Sequence, residues 1–117
     1  MSAEILIIDD NSDIREILND LIMEAGYSTR LAANYNQALA EIDKKLPDVA
    51  IIDVKLDKGD NDGIELLNHI KSKNSNIPVI IISGHANIDM AIKSLKSGAF
   101  EFIQKPFDKE RLINFIK

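Results

Sequence analysis

No cysteine occurs anywhere in the 117 residues. Disulfides and thiolate metal sites are therefore excluded, and a reducing compartment, the cytoplasm, is the expected setting. No apolar run approaches the roughly 18 residues that a membrane helix needs. The N-terminus carries acids early and has no basic stretch before an apolar one, unlike a signal peptide. Basic charge is also in deficit: 14 Lys and Arg against 19 Asp and Glu leave a net charge of −5. That balance argues against gripping nucleic acid through the overall field. No repeat, low-complexity tract or internal linker interrupts the chain.

What remains is ordinary globular material, 45% hydrophobic and 28% charged, of a length suited to one domain with a real core. The stretch Val49-Ala50-Ile51-Ile52-Asp53 organises it. Four apolar side chains run straight into one carboxylate, as in a strand of a parallel sheet that is covered on both faces. Such a strand has no wet side for a charge, so Asp53 is expected where the strand emerges. Ligands bind at that carboxyl edge in open parallel sheets.

The other strands read in the same way. Glu4 to Ile8 runs into Asp9-Asp10, and Val79 to Ile82 ends at Ser83-Gly84. Phe100 to Gln104 runs into Lys105-Pro106. Tyr27 to Leu31 is β-prone but more polar, and suits a sheet edge.

Between the strands lie helical patterns. Asn11-Ser12 offers N-caps for a first helix whose face is Ile14, Ile17, Leu18, Leu21, Ile22 and Ala25, with Gly26 as its left-handed stop. Asn34 with Gln37 resembles a capping box before Ala38, Leu39, Ile42 and Leu46. A long polar loop, Val54 to Asp62, precedes a third helix on Ile64, Leu67 and Ile70. Ile88, Ala91, Ile92 and Leu95 mark a fourth, stopped by Gly98. Asp108 caps a last one through Leu112, Ile113 and Ile116.

Five strands alternating with five helices imply an α/β fold: a flavodoxin-like doubly wound five-stranded parallel sheet with helices on both faces. A polar second strand fits the order 2-1-3-4-5, whose switch point lies between strands one and three. Asp9, Asp10 and Asp53 would meet there, with Ser83 and Lys105 on the same rim.

Three adjacent carboxylates repel each other, by about 4 kcal/mol per pair at 4 Å and an effective dielectric near 20. A cation or protonation must relieve them. Oxygen donors with no His or Cys nearby favour Mg²⁺, or alternatively Mn²⁺. Lys105 is a point-charge partner for phosphate oxygens, and Ser83 can donate to another. Together they describe a phosphoryl-transfer site, with Asp53 as the carboxylate nucleophile and Asp9 and Asp10 as metal holders. As a strand-end pair, Asp9-Asp10 also fits plain capping of the next helix; Asp53 and Lys105 in the same topology turn the balance towards metal.

Ile8-Asp9-Asp10, Ile52-Asp53, Ile82-Ser83-Gly84, Gly98-Ala99-Phe100 and Lys105-Pro106-Phe107 together resemble the receiver domain of two-component response regulators. The resemblance spans essentially residues 1–117, with the motifs in the family's order. It implies that Asp53 accepts a phosphoryl group from a phosphohistidine of a sensor histidine kinase, or from small phosphodonors, with Mg²⁺. It further implies that Asp10, Asp53 and the backbone carbonyl of Lys55 bind the metal, while Asp9 acts largely through water. Ser83 and Phe102 would be the switch pair that alters the face of helix four, strand five and helix five. The Lys105-Pro106 bond is usually cis in the family. Lys55 and His85 match positions that tune how fast the phosphoryl group is lost.

The family commonly has a proline four residues after the acceptor and a glycine eight after it. Here Asp57 takes the first position, and Gly63 lies ten residues after Asp53. This longer loop, with Ser83-Gly84-His85-Ala86, is similar to receivers of the nitrogen-regulation (NtrX) type. That likeness implies an N-terminal fragment of a longer transcription regulator, continuing into an ATPase and a helix-turn-helix output domain. A helix ending in apolar Ile116 just before Lys117 agrees with a truncated chain. Such a domain catalyses its own phosphorylation and dephosphorylation, and can pair with a second copy when phosphorylated.

Three other functions compete. A haloacid-dehalogenase-like phosphotransferase wants a second acid two residues after its nucleophile, where Lys55 stands. A flavodoxin-like flavin module needs a phosphate-cradling loop where Asp9-Asp10-Asn11 stands. A pseudo-receiver that works without phosphorylation would not need this full set of acids, Ser83 and Lys105.

Overall fold

Successive residues of a strand point to opposite faces, and here both faces are apolar. Ile5, Ile7, Val49, Ile51, Ile80 and Ile82 pack with Leu18, Ile22 and Leu112 on one side. Leu6, Ile8, Ala50, Ile52, Val79 and Ile81 pack with Ala38, Ile42, Leu67 and Ile70 on the other. A side chain of this size that is fully buried contributes about 1.5–3 kcal/mol. Near-continuous isoleucine and valine thus force a sheet covered on both sides.

A computed structural model describes residues 3–54, 56, 59, 62–84, 88–105 and 109–116. In chain order its elements are β1 (Glu4–Ile8), α1 (Ser12–Glu24), β2 (Ser28–Ala32), α2 (Tyr35–Lys44) and β3 (Val49–Asp53). They continue with α3 (Asp62–Lys73), β4 (Val79–Ser83), α4 (Ile88–Lys96), β5 (Glu101–Gln104) and α5 (Lys109–Ile116). The strands are parallel and lie in the order β2-β1-β3-β4-β5. This is the doubly wound, flavodoxin-like sheet that the alternating pattern predicts. Helices α1 and α5 supply one face, α2 and α3 the other.

Local signals place the helices. Asn11 caps α1, its side chain accepting from the backbone N–H groups of Asp13 and Ile14. Asn34 caps α2 through the Gln37 N–H at 2.8 Å, but the Gln37 side chain reaches back to the N–H of Ala33, one residue before the cap. The expected capping box is therefore shifted by one position. Gly26 and Gly98 both adopt positive φ just after α1 and α4, where a side chain would be strained.

Several helix-face residues face water. Ile17 is 45% exposed, Ile92 46% and Leu95 47%. A helix lying on a sheet buries a narrow stripe, and these positions fall on its shoulders. Phe100 is likewise exposed at 56% and precedes β5, which starts at Glu101. Strand β2 runs one residue later than the polar pattern suggests, from Ser28 to Ala32. Most of the loop from Val54 to Asp62 and the Asp108 cap lie outside the described residues.

Arg30 fastens the β2 edge. Its guanidinium reaches Glu4 Oε1 at 3.0 Å, Glu41 Oε1 at 3.0 Å, and the backbone carbonyls of Glu41 at 2.8 Å and Lys45 at 2.6 Å. One planar fork thereby joins the start of β1 to the carbonyl end of α2.

Candidate functional site

The carboxyl ends of β1, β3, β4 and β5 lie at one edge, and each delivers a polar residue there. Asp9 follows β1, Asp53 and Ser83 are the last residues of β3 and β4, and Lys105 follows β5. The ladder fixes their heights: Asp53 stands opposite Ile82, and Ser83 opposite Gln104. The Lys105 N–H donates to the Ser83 carbonyl at 2.7 Å, so the turn after β5 is tied to the end of β4.

Asp9, Asp10 and Asp53 each bring one carboxylate oxygen within 4.8 Å of the others. Repulsion at that separation is about 3 kcal/mol per pair at an effective dielectric near 20, and less for exposed Asp10. Asp9 and Asp53 are buried while Asp10 is exposed, so the cluster opens to solvent on the Asp10 side.

Asp9 is held on all sides. Its N–H donates to the Ala32 carbonyl, and its Oδ1 accepts from the Asn11 N–H at 2.9 Å. Its own carbonyl accepts from Arg15 at 2.8 Å. Lys105 Nζ lies 3.0 Å from Asp9 Oδ2 and 3.4 Å from Asp53 Oδ2. The hydrogen-bond alignment is met on Asp53, and Asp9 Oδ2 is left buried without an aligned donor. The shorter contact is thus a charge contact. Burial lowers the Lys105 pKa, but the carboxylates of Asp53 and then Asp9 outweigh it and hold the pKa above the ordinary lysine value.

These residues fit a hard divalent cation. The donors are carboxylate oxygens only, they converge, and one buried oxygen has unused acceptor capacity.

Ser83 is buried at the end of β4, and Phe102 is half-buried in β5 against the α2–α3 side of the sheet. Lys55, His85 and Pro106, named above for a metal contact, phosphoryl lifetime and a cis bond, lie outside the described residues. Sequence reasoning named Asn11 only as a helix cap and did not single out Arg15; both brace Asp9. Arg15 did carry a signal: it is the one basic residue between Met1 and Glu24.

A parallel five-stranded sheet of order β2-β1-β3-β4-β5, with an acid cluster at its switch point and a lysine reaching in from the end of β5, defines a doubly wound, flavodoxin-like class of domain. Residues 5–117 match the family described as the response regulator receiver domain, and the chain belongs to that family. It is 42% identical over 113 residues to the nitrogen assimilation regulatory protein NtrX of Azorhizobium caulinodans, an alignment covering 97% of this chain and 25% of that protein. The solved receiver domain of NtrX from Brucella abortus superposes with a TM-score of 0.87 at 38% identity, covering 96% of this chain and 93% of that one. A CheY-like receiver domain protein from Methanospirillum hungatei superposes at 0.91 with 28% identity, covering 99% of this chain and 91% of that one. The chain spans about a quarter of the length of the NtrX relatives it matches.

Proposed function

We propose that this domain accepts a phosphoryl group on Asp53 from a phosphohistidine of a sensor histidine kinase, and loses it again by hydrolysis. The convergence of Asp9, Asp10, Asp53 and Lys105 at one sheet edge carries this reading. A carboxylate oxygen of Asp53 attacks phosphorus as the P–N bond breaks, and the electron pair leaves with the imidazole nitrogen. The product is an acyl phosphate. In the return step water attacks phosphorus, the P–O bond to Asp53 breaks, and inorganic phosphate leaves with a proton passing to solvent.

The Lys105 ammonium faces the negative charge spread over the transferring oxygens, and the Ser83 hydroxyl donates to one of them. Asp10, Asp53 and the Lys55 carbonyl, with Asp9 acting through water, would hold Mg²⁺, which would supply further charge neutralisation. Once Asp53 is modified, Ser83 follows the phosphoryl group and Phe102 turns inward, which alters the surface of α4, β5 and α5. That surface controls pairing with a second copy and with an output domain. In the whole cytoplasmic regulator, an ATPase followed by a helix-turn-helix domain would convert the signal into transcription control.

Acetyl phosphate and Mg²⁺, followed by intact mass, provide the test. The native domain should gain one phosphoryl mass only with Mg²⁺, and Asp53→Asn should gain none. A native domain that stays unmodified with both acetyl phosphate and a phosphorylated kinase would refute the proposal in favour of phosphorylation-independent partner binding.

A further inference from the structure

Helix α3 begins hard against the backbone of Asp53. A Cβ placed on Gly63 would fall 2.6 Å from Val54 Cα, 2.7 Å from the Asp53 carbonyl oxygen and 3.2 Å from its carbon. All three atoms are backbone at the end of a buried strand, so none can step aside as a flexible side chain would. Gly63 is not among the glycines of positive φ. The residue is therefore required for space and not for an unusual turn. A glycine within a helix costs about 1 kcal/mol relative to alanine, and here that cost accompanies a contact no other residue permits.

The contact belongs to a clamp. Gly63 N–H donates to the Val54 carbonyl at 2.9 Å, and Val54 N–H donates to the Ile82 carbonyl at 2.9 Å. The residue after Asp53 is thus held by β4 on one side and α3 on the other. Buried Asp62 closes the approach to the helix, its Oδ2 accepting from the Gly59 N–H at 3.0 Å. The lengthened spacing between Asp53 and Gly63 still leaves these two backbones in contact.

We infer that Gly63 is a positioning residue for the Asp53 centre: its bare α-carbon lets α3 brace the end of β3, which keeps the Asp53 carboxylate in register with Asp9, Asp10 and Lys105. A side chain at 63 displaces the strand end, and the acids lose their common focus. The chemical consequence rests on the phosphoacceptor reading above, but the alignment of the three acids is measurable without it.

The test compares Gly63→Ala with Ile70→Val, a buried change at the far end of the same helix. Folding is followed by urea denaturation, Mg²⁺ affinity by calorimetry, and phosphoryl gain from acetyl phosphate by mass. Gly63→Ala should weaken Mg²⁺ binding several-fold and slow phosphoryl gain about tenfold or more, as misplacing reacting groups by about 1 Å can. Ile70→Val should leave both within about twofold while lowering stability, as such core changes do. A folded Gly63→Ala with native Mg²⁺ affinity and rate overturns the inference. Should Gly63→Ala not fold, Asp62→Ala loosens the same brace with no added bulk; a native Mg²⁺ affinity in that variant overturns it too. If the native domain binds Mg²⁺ but takes no phosphoryl group, the proposed function fails, while the calorimetric comparison still decides the role of Gly63.

Discussion

The Lys105 ammonium stands nearer to Asp9, at 3.0 Å, than to Asp53, at 3.4 Å. Its closest contact is with the acid most fully sealed from water, and its aligned hydrogen bond goes to the proposed phosphoacceptor. One cation therefore serves two roles: it neutralises Asp9 at rest, and it is within reach of whatever joins Asp53.

Those roles separate in Lys105→Ala. Removing the ammonium leaves the acids more negative, so Mg²⁺ affinity should hold or rise. Phosphoryl gain should nevertheless fall by about 10²–10³, the usual loss for one charge-stabilising group. Calorimetry paired with timed mass spectrometry reads both, and a parallel fall in Mg²⁺ affinity would contradict this division.

Asp10 is the exposed member of the trio. Without divalent cation, Asp10→Asn should stabilise the fold by about 1 kcal/mol, because one of three like charges is gone. With Mg²⁺ at about a hundred times its Kd, the native domain should gain about 2.7 kcal/mol, or roughly 10 °C in Tm. The variant should gain little. Thermal melts with and without Mg²⁺ would show the crossing.

Arg30 joins Glu4, Glu41 and the end of α2 from a side chain only 15% exposed. Lysine cannot reproduce that fork, so Arg30→Lys should lower stability by about 2 kcal/mol through lost charge-assisted hydrogen bonds. Urea denaturation measures it, and Mg²⁺ affinity should not change because the fork lies at the opposite end of β1.

Asp43 on α2 lies 3.0 Å from His69 Nε2 and 3.4 Å from Lys73 Nζ, both on α3. The His69 hydrogen bond is the largest influence and holds its pKa below the ordinary aspartate value; burial opposes it, and Lys73 adds smaller lowering effects. A depressed carboxylate contributes stability above its unfolded pKa and loses it as pH falls through the folded one. Carboxyl NMR should place the Asp43 midpoint below that of a free aspartate. The midpoint should rise in His69→Leu and with added salt, since the pair is exposed.

Strands β1, β3 and β4 were legible because each holds an unbroken apolar run, and Asp9 and Asp53 because each ends one. Ile52-Asp53 and Ile8-Asp9 announce both the sheet and its functional edge. The exposure of Ile17, Ile92 and Leu95 was not legible, because periodicity marks the apolar face of a helix but not how much of it a sheet covers. Arg30 reads as one more solvated charge on a polar strand until the fold brings Glu4 and the end of α2 around it. The Gly63 contact was hidden for another reason. A glycine in a helical pattern signals weakness, and only the fold shows that the backbone of Asp53 and Val54 lies against it.

The strand order also governs when the site is completed. Asp53 and Lys105 are 52 residues apart in the chain, and β5 lies at the far edge, beside β4. In a chain emerging from its N-terminus, the carboxylates of the first and third strands are available for neighbours long before their lysine is made. Pairing of β1 with β3 before that point would proceed against mutual repulsion that a dissolved cation or protonation would have to relieve. Long-range closure of this kind is slow, so the strand order sets an interval in which the acids can meet before their ammonium reaches them.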